Sequence, residues 1–97
     1  MHNASTLEFA SRPAGVGISF VQDPAHPLPK RELTDGMNVI LKKGDQRVLA
    51  RSIRGNSDGS FVGEIYGFER SFVLDFAGMR LQEHLAFLDS HVFSAGR

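Results

Sequence analysis

Four histidines are the first residues that could do chemistry, because imidazole binds metal ions and exchanges protons near neutral pH. His84 and His91 lie near the end of the chain beside Glu83 and Asp89, and His26 lies in a proline-rich stretch. On a strand, the odd spacing from 84 to 91 points the two rings to opposite faces, and on a helix it leaves them two turns apart. We therefore expect surface or interface histidines and no metal ion.

A catalytic triad is also a weak interpretation of this sequence. Asp89, Ser90 and His91 have the right residue types for hydrolysis, but neighbouring residues on a strand project alternately and cannot align nucleophile, base and orienting group. The acidic residues between 64 and 75 have no spacing that places two of them in one pocket. We predict that the protein is not an enzyme and uses no cofactor.

Arginines interleaved with aromatic residues form the most informative polar set. Its members, which we predict to be binding residues, are Arg47, Arg51, Arg54, Tyr66, Phe68, Arg70 and Phe72. Such a set can bind single-stranded nucleic acid by phosphate pairing and base stacking. The same composition suits a protein interface. In a third interpretation the arginines lie on a solvated face and pair with Glu64 or Glu69 across a hairpin.

Composition limits these alternatives. The 97 residues fit one domain, and 41% hydrophobic with 23% charged residues is typical of a globular protein. Eleven basic and eleven acidic side chains cancel, so no global field attracts nucleic acid or an anionic membrane. The chain has no cysteine, no signal-like start and no long apolar run, which favours a cytoplasmic protein that does not enter a membrane.

The N-terminal part of the chain differs in sequence pattern from the predicted domain that positions these residues. Residues 1–32 lack a sustained hydrophobic period and include three prolines between 24 and 29, so we predict a partly flexible strap. The run from Gly17 to Val21 leaves room for one short strand in it. Residues 33–97 form the predicted domain.

Short β-prone runs separated by turn residues follow from Leu33 onward. Strands are expected at 38–41, 47–54, 60–66 and 72–77, and Asp58-Gly59 supplies a tight turn between the second and the third. Glycines and apolar residues on both faces of the 60–66 strand suggest a sharply bent sheet, which favours a barrel. Alternation predicts that Phe61 and Ile65 share one face with Gly63 and Gly67, and that Tyr66 and Phe68 share the other.

The final segment fits two patterns. Leucine and valine spacing from 81 to 92 is typical of a helix, whereas alternation from 85 to 93 is typical of a strand. We favour the strand, because this segment repeats weakly the pattern of residues 33–41: an apolar residue, a polar turn and an apolar strand. The predicted core is Val39, Leu41, Leu49, Ile53, Phe61, Ile65, Leu74, Phe76, Leu85 and Phe87.

Two stretches, residues 44–51 and 57–65, resemble the first hairpin of Tudor-like and other SH3-like small barrels, with Gly-Asp, a Val-x-Ala-Arg strand, an Asp-Gly turn and an aromatic strand. The resemblance covers about a quarter of the chain and implies an all-β, SH3-like, partly open barrel of about five or six short antiparallel strands. In the Tudor family an aromatic cage holds a methylated Lys or Arg by cation–π attraction. By resemblance, Phe61, Tyr66 and Phe68 lie where such residues fall.

For function, we expect a non-catalytic interaction module that binds a protein partner, or a second copy of itself, through an aromatic and arginine surface. Eight phenylalanines are more than one small core readily buries, which favours a partner. The alternative is a nucleic-acid-binding barrel that uses the face carrying Arg47 and Arg51.

Overall fold

The structure is a computed structural model and describes residues 1–20, 32–69 and 75–96. Its described residues form β-strands and one 3₁₀ turn, which confirms the all-β prediction. The strands are β1 (His2–Asn3), β2 (Ser19–Phe20), β3 (Asn38–Lys43), β4 (Gln46–Gly55), β5 (Phe61–Glu69), β6 (Asp75–Phe76), β7 (Met79–Arg80), β8 (His84–Phe87) and β9 (Val92–Gly96); the 3₁₀ turn is Asp89–His91.

Seven strands form one sheet in the order β1-β8-β5-β4-β3-β9-β2, while β6 and β7 form a separate hairpin. The five central strands pair antiparallel, whereas β1 pairs with β8, and β2 with β9, in parallel. The sheet is therefore mixed and open, and it has more strands than the five or six antiparallel strands predicted. The additional strands β1 and β2 have two residues each; β2 lies within residues 17–21, where one short strand was expected, whereas β1 is too short to give a sequence pattern.

Two tight turns connect the central strands. Gly44 between β3 and β4 has φ 60°, and Gly59 between β4 and β5 has φ 88°, a region that side chains with a Cβ rarely adopt. The amide of Asn56 donates to the carbonyl of Ser60 at 2.8 Å and closes the second turn. The predicted turn at Asp58-Gly59 is confirmed.

Two β-bulges interrupt the alternation of side chains in the β4–β5 hairpin. The partners Arg51↔Glu64 and Arg54↔Val62 leave one extra residue on β4, and Leu49↔Gly67 and Ala50↔Ile65 leave Tyr66 as the extra residue on β5. Beyond each bulge, residues that would have pointed to one face of the sheet point to the other.

The core lies on the inner face of this bent hairpin. It comprises Ala4, Phe9, Met37, Val39, Leu41, Val48, Ala50, Ile53, Ile65, Phe68, Met79, Leu85, Phe87, Val92 and Ala95. Six of the predicted core residues are among them, and Phe61 and Phe76 pack against this cluster half-buried. The prediction for Leu49 is wrong, because Val48 and Ala50 take the inner positions on either side of it. Leu74 lies outside the described residues.

Gly63 faces the core, where a close contact leaves no room for a larger side chain. A Cβ built on it would lie 3.1 Å from both Ala50 Cβ and Ile53 Cγ2. Gly67, after the Tyr66 bulge, packs instead under Leu49 on the outer face. The predicted grouping of Gly67 with Gly63 and Ile65 is therefore wrong, and the glycines serve close packing.

The N-terminal residues pack along the sheet. Ala4 is fully buried and its amide donates to the carbonyl of Ala86 at 2.8 Å. Phe9 is also buried in the core. The Arg12 amide donates to Ser90, and its guanidinium donates to the carbonyls of Asp89 and Val92. Residues 2–12 thereby connect β8 to the 3₁₀ turn.

The strand interpretation of the last segment is confirmed, because β8 and β9 are both strands and only the three residues between them form a 3₁₀ turn. β9 returns to pair with β3, and β8 pairs with β5. None of the described residues belongs to a helix long and apolar enough to span a membrane.

Candidate functional site

The outer face of the β4–β5 hairpin carries most of the predicted binding residues that the structure describes. We call this surface the arginine–tyrosine face and define it as Ile40, Arg47, Leu49, Arg51, Glu64, Tyr66 and Glu69. Its β4 members alternate with the buried residues Val48 and Ala50, so they point away from the core.

Arg51, Glu64 and Tyr66 are the best-connected group on this face. Arg51 lies opposite Glu64, and its Nε donates to Glu64 Oε1 at 2.7 Å. The Arg51 guanidinium carbon is also 5.8 Å from the centre of the Tyr66 ring, within range of a cation–π interaction. The Tyr66 bulge produces this arrangement, because the extra residue on β5 leaves its ring 38% exposed.

Arg47 forms a second ion pair, with Glu69, at the other end of the face. Its Nη1 lies 3.2 Å from Glu69 Oε2, and the two residues are register partners. Both side chains are close to 40% exposed, so water screens their attraction. The predicted pairing of the arginines with Glu64 and Glu69 across the hairpin is thus present.

Apolar side chains lie between the two ion pairs. Leu49 is half-buried and is the register partner of both Ile40 and Gly67. A shallow groove of ≈ 200 Å³ begins beside them and is lined in part by Ile40, Tyr66 and Ser94. The face therefore combines a partly apolar centre with charged margins.

Arg54 lies beyond the β4 bulge, in a separate polar groove. This groove has a volume of ≈ 490 Å³ and is lined by Ser52, Arg54, Val62, Glu64 and His84. Glu64 is opposite both Arg51 and His84, so it separates the groove from the arginine–tyrosine face.

Phe68 lies on the inner face, away from Tyr66. It is 7% exposed, and its ring centre is 6.0 Å from that of Phe76. The prediction that Tyr66 and Phe68 share a face is wrong, because the bulge at Tyr66 reverses the alternation. Arg70 and Phe72 lie outside the described residues.

Asp89, Ser90 and His91 form the 3₁₀ turn and do not form a catalytic triad. The Asp89 carboxylate pairs with Arg12 at 2.7 Å. His91 is buried, and its Nδ1 accepts the Leu88 amide at 3.0 Å, so its neutral ring carries the proton on Nε2. Burial lowers the pKa of His91 below its ordinary value, since desolvation disfavours the charged ring.

Glu83 and His2 form a further contact across the N-terminal edge of the sheet. His2 Nε2 lies 2.9 Å from Glu83 Oε1, and the hydrogen bond from His2 is the main cause that lowers the pKa of Glu83. The Arg80 amide also donates to this carboxylate. Within residues 1–20, 32–69 and 75–96, no group of three or more acidic or histidine side chains is arranged to hold a metal ion.

The sequence prediction missed Ile40 and Leu49 as surface residues, and it did not include Ser52 or His84 among the binding residues. The spacing of the apolar residues Val48, Ala50 and Ile53 could have indicated that Ser52 lies at a bulge. The first two are separated by two positions and the last two by three, which interrupts strand alternation. Leu49 and Ile40 had no such signal, since an apolar residue on a strand normally indicates the core.

Comparison with protein-family models, with curated proteins and with solved structures gave no match for this chain.

Proposed function

We propose that this protein is a non-catalytic interaction module that binds a protein partner through the arginine–tyrosine face. The observation that carries the proposal is the exposed Tyr66 ring, which a bulge presents beside Arg51 and the half-buried Leu49. Tyr and Arg are enriched in protein interfaces, where an amphipathic ring supplies contact area at low entropic cost.

The charge balance of the face favours a protein over a nucleic acid. Arg47 and Arg51, the strand arginines of the nucleic-acid alternative, already pair with Glu69 and Glu64. Because these ion pairs cancel, the face presents no unpaired positive charge to a phosphate backbone. A protein partner with both donors and acceptors can use the same ion pairs as a polar rim.

The ion pairs made by four carboxylates support a non-catalytic role. Glu64, Glu69, Glu83 and Asp89 each pair with a basic side chain. A general base needs a carboxylate free to accept a proton from substrate, and these four are engaged. The seven phenylalanines that the structure describes are buried or half-buried, so they add no exposed aromatic surface for a partner.

For the fold, we propose that the five central strands form an SH3-like, partly open barrel. Three observations support this proposal. The β4–β5 hairpin contains two bulges, and β9 pairs with β3. The C-terminal part of β4 also contacts the residues that precede β3. In that last contact the Ile53 amide donates to the carbonyl of Met37 at 3.2 Å. The proposed setting of the module is the cytoplasm.

The experiment is an affinity capture with the purified full chain as bait, carried out in native lysate with and without nuclease and read by mass spectrometry. The bait is compared with the variant Tyr66→Ser. We expect at least one protein to survive nuclease and to fall about tenfold or more with Tyr66→Ser, the loss typical of an aromatic interface anchor.

Leu88→Ser is the matched control, since Leu88 is a similarly exposed apolar residue outside the face. Its captured proteins should equal those of the parent. Sedimentation equilibrium of the same variants tests a second copy of the chain as the partner. Capture that is lost on digestion, or that Tyr66→Ser leaves unchanged in a protein that melts normally, would contradict the proposal.

A further inference from the structure

The polar groove beyond the β4 bulge contains a backbone conformation that its sequence does not favour. Ser52 has φ 53°, in the left-handed region where bulges usually use glycine. A non-glycine residue in that region costs free energy, and such outliers concentrate at functional sites. Ser52 lines the groove, so its side chain is available to a ligand there.

Three hydrogen-bond donors around this groove have no partner in the described part of the protein. The Ser52 hydroxyl, the Arg54 guanidinium and the His84 ring are all on exposed residues, and none makes a side-chain hydrogen bond or ion pair within residues 1–20, 32–69 and 75–96. Arg54 differs in this respect from Arg47 and Arg51, whose charges are balanced.

The sheet register places these donors around the apolar side chain of Val62. Val62 is the partner of Arg54 on one side and of Ala86 on the other. Glu64 occupies the next row between Arg51 and His84, and the 2.7 Å contact with Arg51 offsets its charge. The groove therefore has one arginine without an ion-pair partner among the described residues, two further side-chain donors and an apolar surface.

We propose that this groove binds the phosphate group of a small organic phosphate, with Arg54, His84 and Ser52 as donors and Val62 beneath the organic part. Arginine and hydroxyl donors match the oxygens of a phosphate, and the volume of ≈ 490 Å³ is in the range of small-molecule sites. One free arginine suits a single phosphate better than a polyphosphate backbone. This site adjoins the arginine–tyrosine face at Glu64, but its donors are not members of that face.

Titration with inorganic phosphate and with phenyl phosphate, followed by amide chemical shifts at constant ionic strength, tests the proposal. We expect shifts at residues 52–54, 62 and 84 with both probes. Arg54→Gln should raise the dissociation constant about tenfold or more, the effect of losing one charge-assisted hydrogen bond. Tighter binding of phenyl phosphate would identify an organic phosphate as the ligand class, and equal binding of the two probes would overturn the role of Val62 and the organic part of the ligand.

Ser52→Gly separates binding from folding. Glycine adopts a positive φ at low cost, so this variant should melt at or above the parent temperature while its affinity for phosphate falls several-fold. Arg80→Gln removes an exposed arginine outside the groove and is the matched control. Shifts spread over the whole surface, an equal response to acetate, or a dissociation constant unchanged in Arg54→Gln would overturn the proposal.

Discussion

At the scale of single residues, His91 shows how environment determines chemistry. The sequence presents it as a candidate ligand or base, but the structure buries it at 5% exposure with Nδ1 committed to the Leu88 amide. His84, seven residues earlier, is exposed and lines a groove. Residue type alone could not separate these two histidines, because the difference lies in the turn that follows β8.

Stability should depend on pH through His91. Its pKa is lowered in the folded state, so the unfolded chain binds a proton at higher pH than the folded chain does. The contribution is fully present above the unfolded pKa of about 6.5 and is lost as the pH falls below it toward the lowered folded value. We expect the free energy of unfolding, from urea titrations, to decrease between pH 7 and pH 5.5.

His91→Asn is the diagnostic variant for this effect, because the asparagine Oδ1 can still accept the Leu88 amide but does not titrate. The pH dependence should flatten in this variant and persist in His84→Gln, which removes an exposed ring. An unchanged slope in His91→Asn would assign the pH dependence to other groups.

At the scale of elements, the two bulges explain which parts of the fold were predictable. Periodicity located β3, β4 and β5 within a few residues, because each strand carries a regular apolar stripe. The same reasoning assigned Leu49 and Phe68 to the wrong faces. Face assignment assumes uninterrupted alternation, and one extra residue reverses it.

The Tyr66 bulge makes a direct prediction about two neighbouring aromatic residues. Phe68→Ala should lower the free energy of unfolding by about 3–5 kcal/mol, because it opens a cavity beside Phe76. Tyr66→Ala should cost less than about 1 kcal/mol, since its ring is exposed. Guanidinium chloride titrations of both variants give the comparison. Equal losses would mean that uninterrupted alternation holds and the bulge is absent.

At the scale of the whole molecule, the N-terminal residues and the end of the chain depend on each other. Arg12 connects them: its guanidinium is bound to the carbonyls of Asp89 and Val92 and to the Asp89 carboxylate. Neither partner could be inferred from the sequence, because contacts between distant segments leave no local pattern. Composition and hydrophobic spacing predicted an all-β protein, but the edges of the sheet required the structure.

Arg12→Gln should destabilise the protein by about 1–3 kcal/mol, because it removes the guanidinium donor from the part-buried hydrogen bond to the Val92 carbonyl. Hydrogen exchange at the amides of Ala4 and Phe9 should accelerate as the N-terminal residues detach more often. Arg51→Gln is the matched control, since its ion pair is half-exposed and should contribute less than about 1 kcal/mol. Comparable losses in both variants would show that Arg12 does not fasten the N-terminal residues.

The two parallel edge strands have a consequence for synthesis on the ribosome. His2 pairs with Leu85, and Ser19 pairs with Ser94, so both residues are synthesised long before their strand partners. Ala4 and Phe9 belong to the core that these pairings help to complete, and contacts of such long sequence separation form slowly. The nascent chain therefore exposes Ala4 and Phe9 before β8 and β9 have been synthesised, and chaperone binding to this segment should decrease after that point.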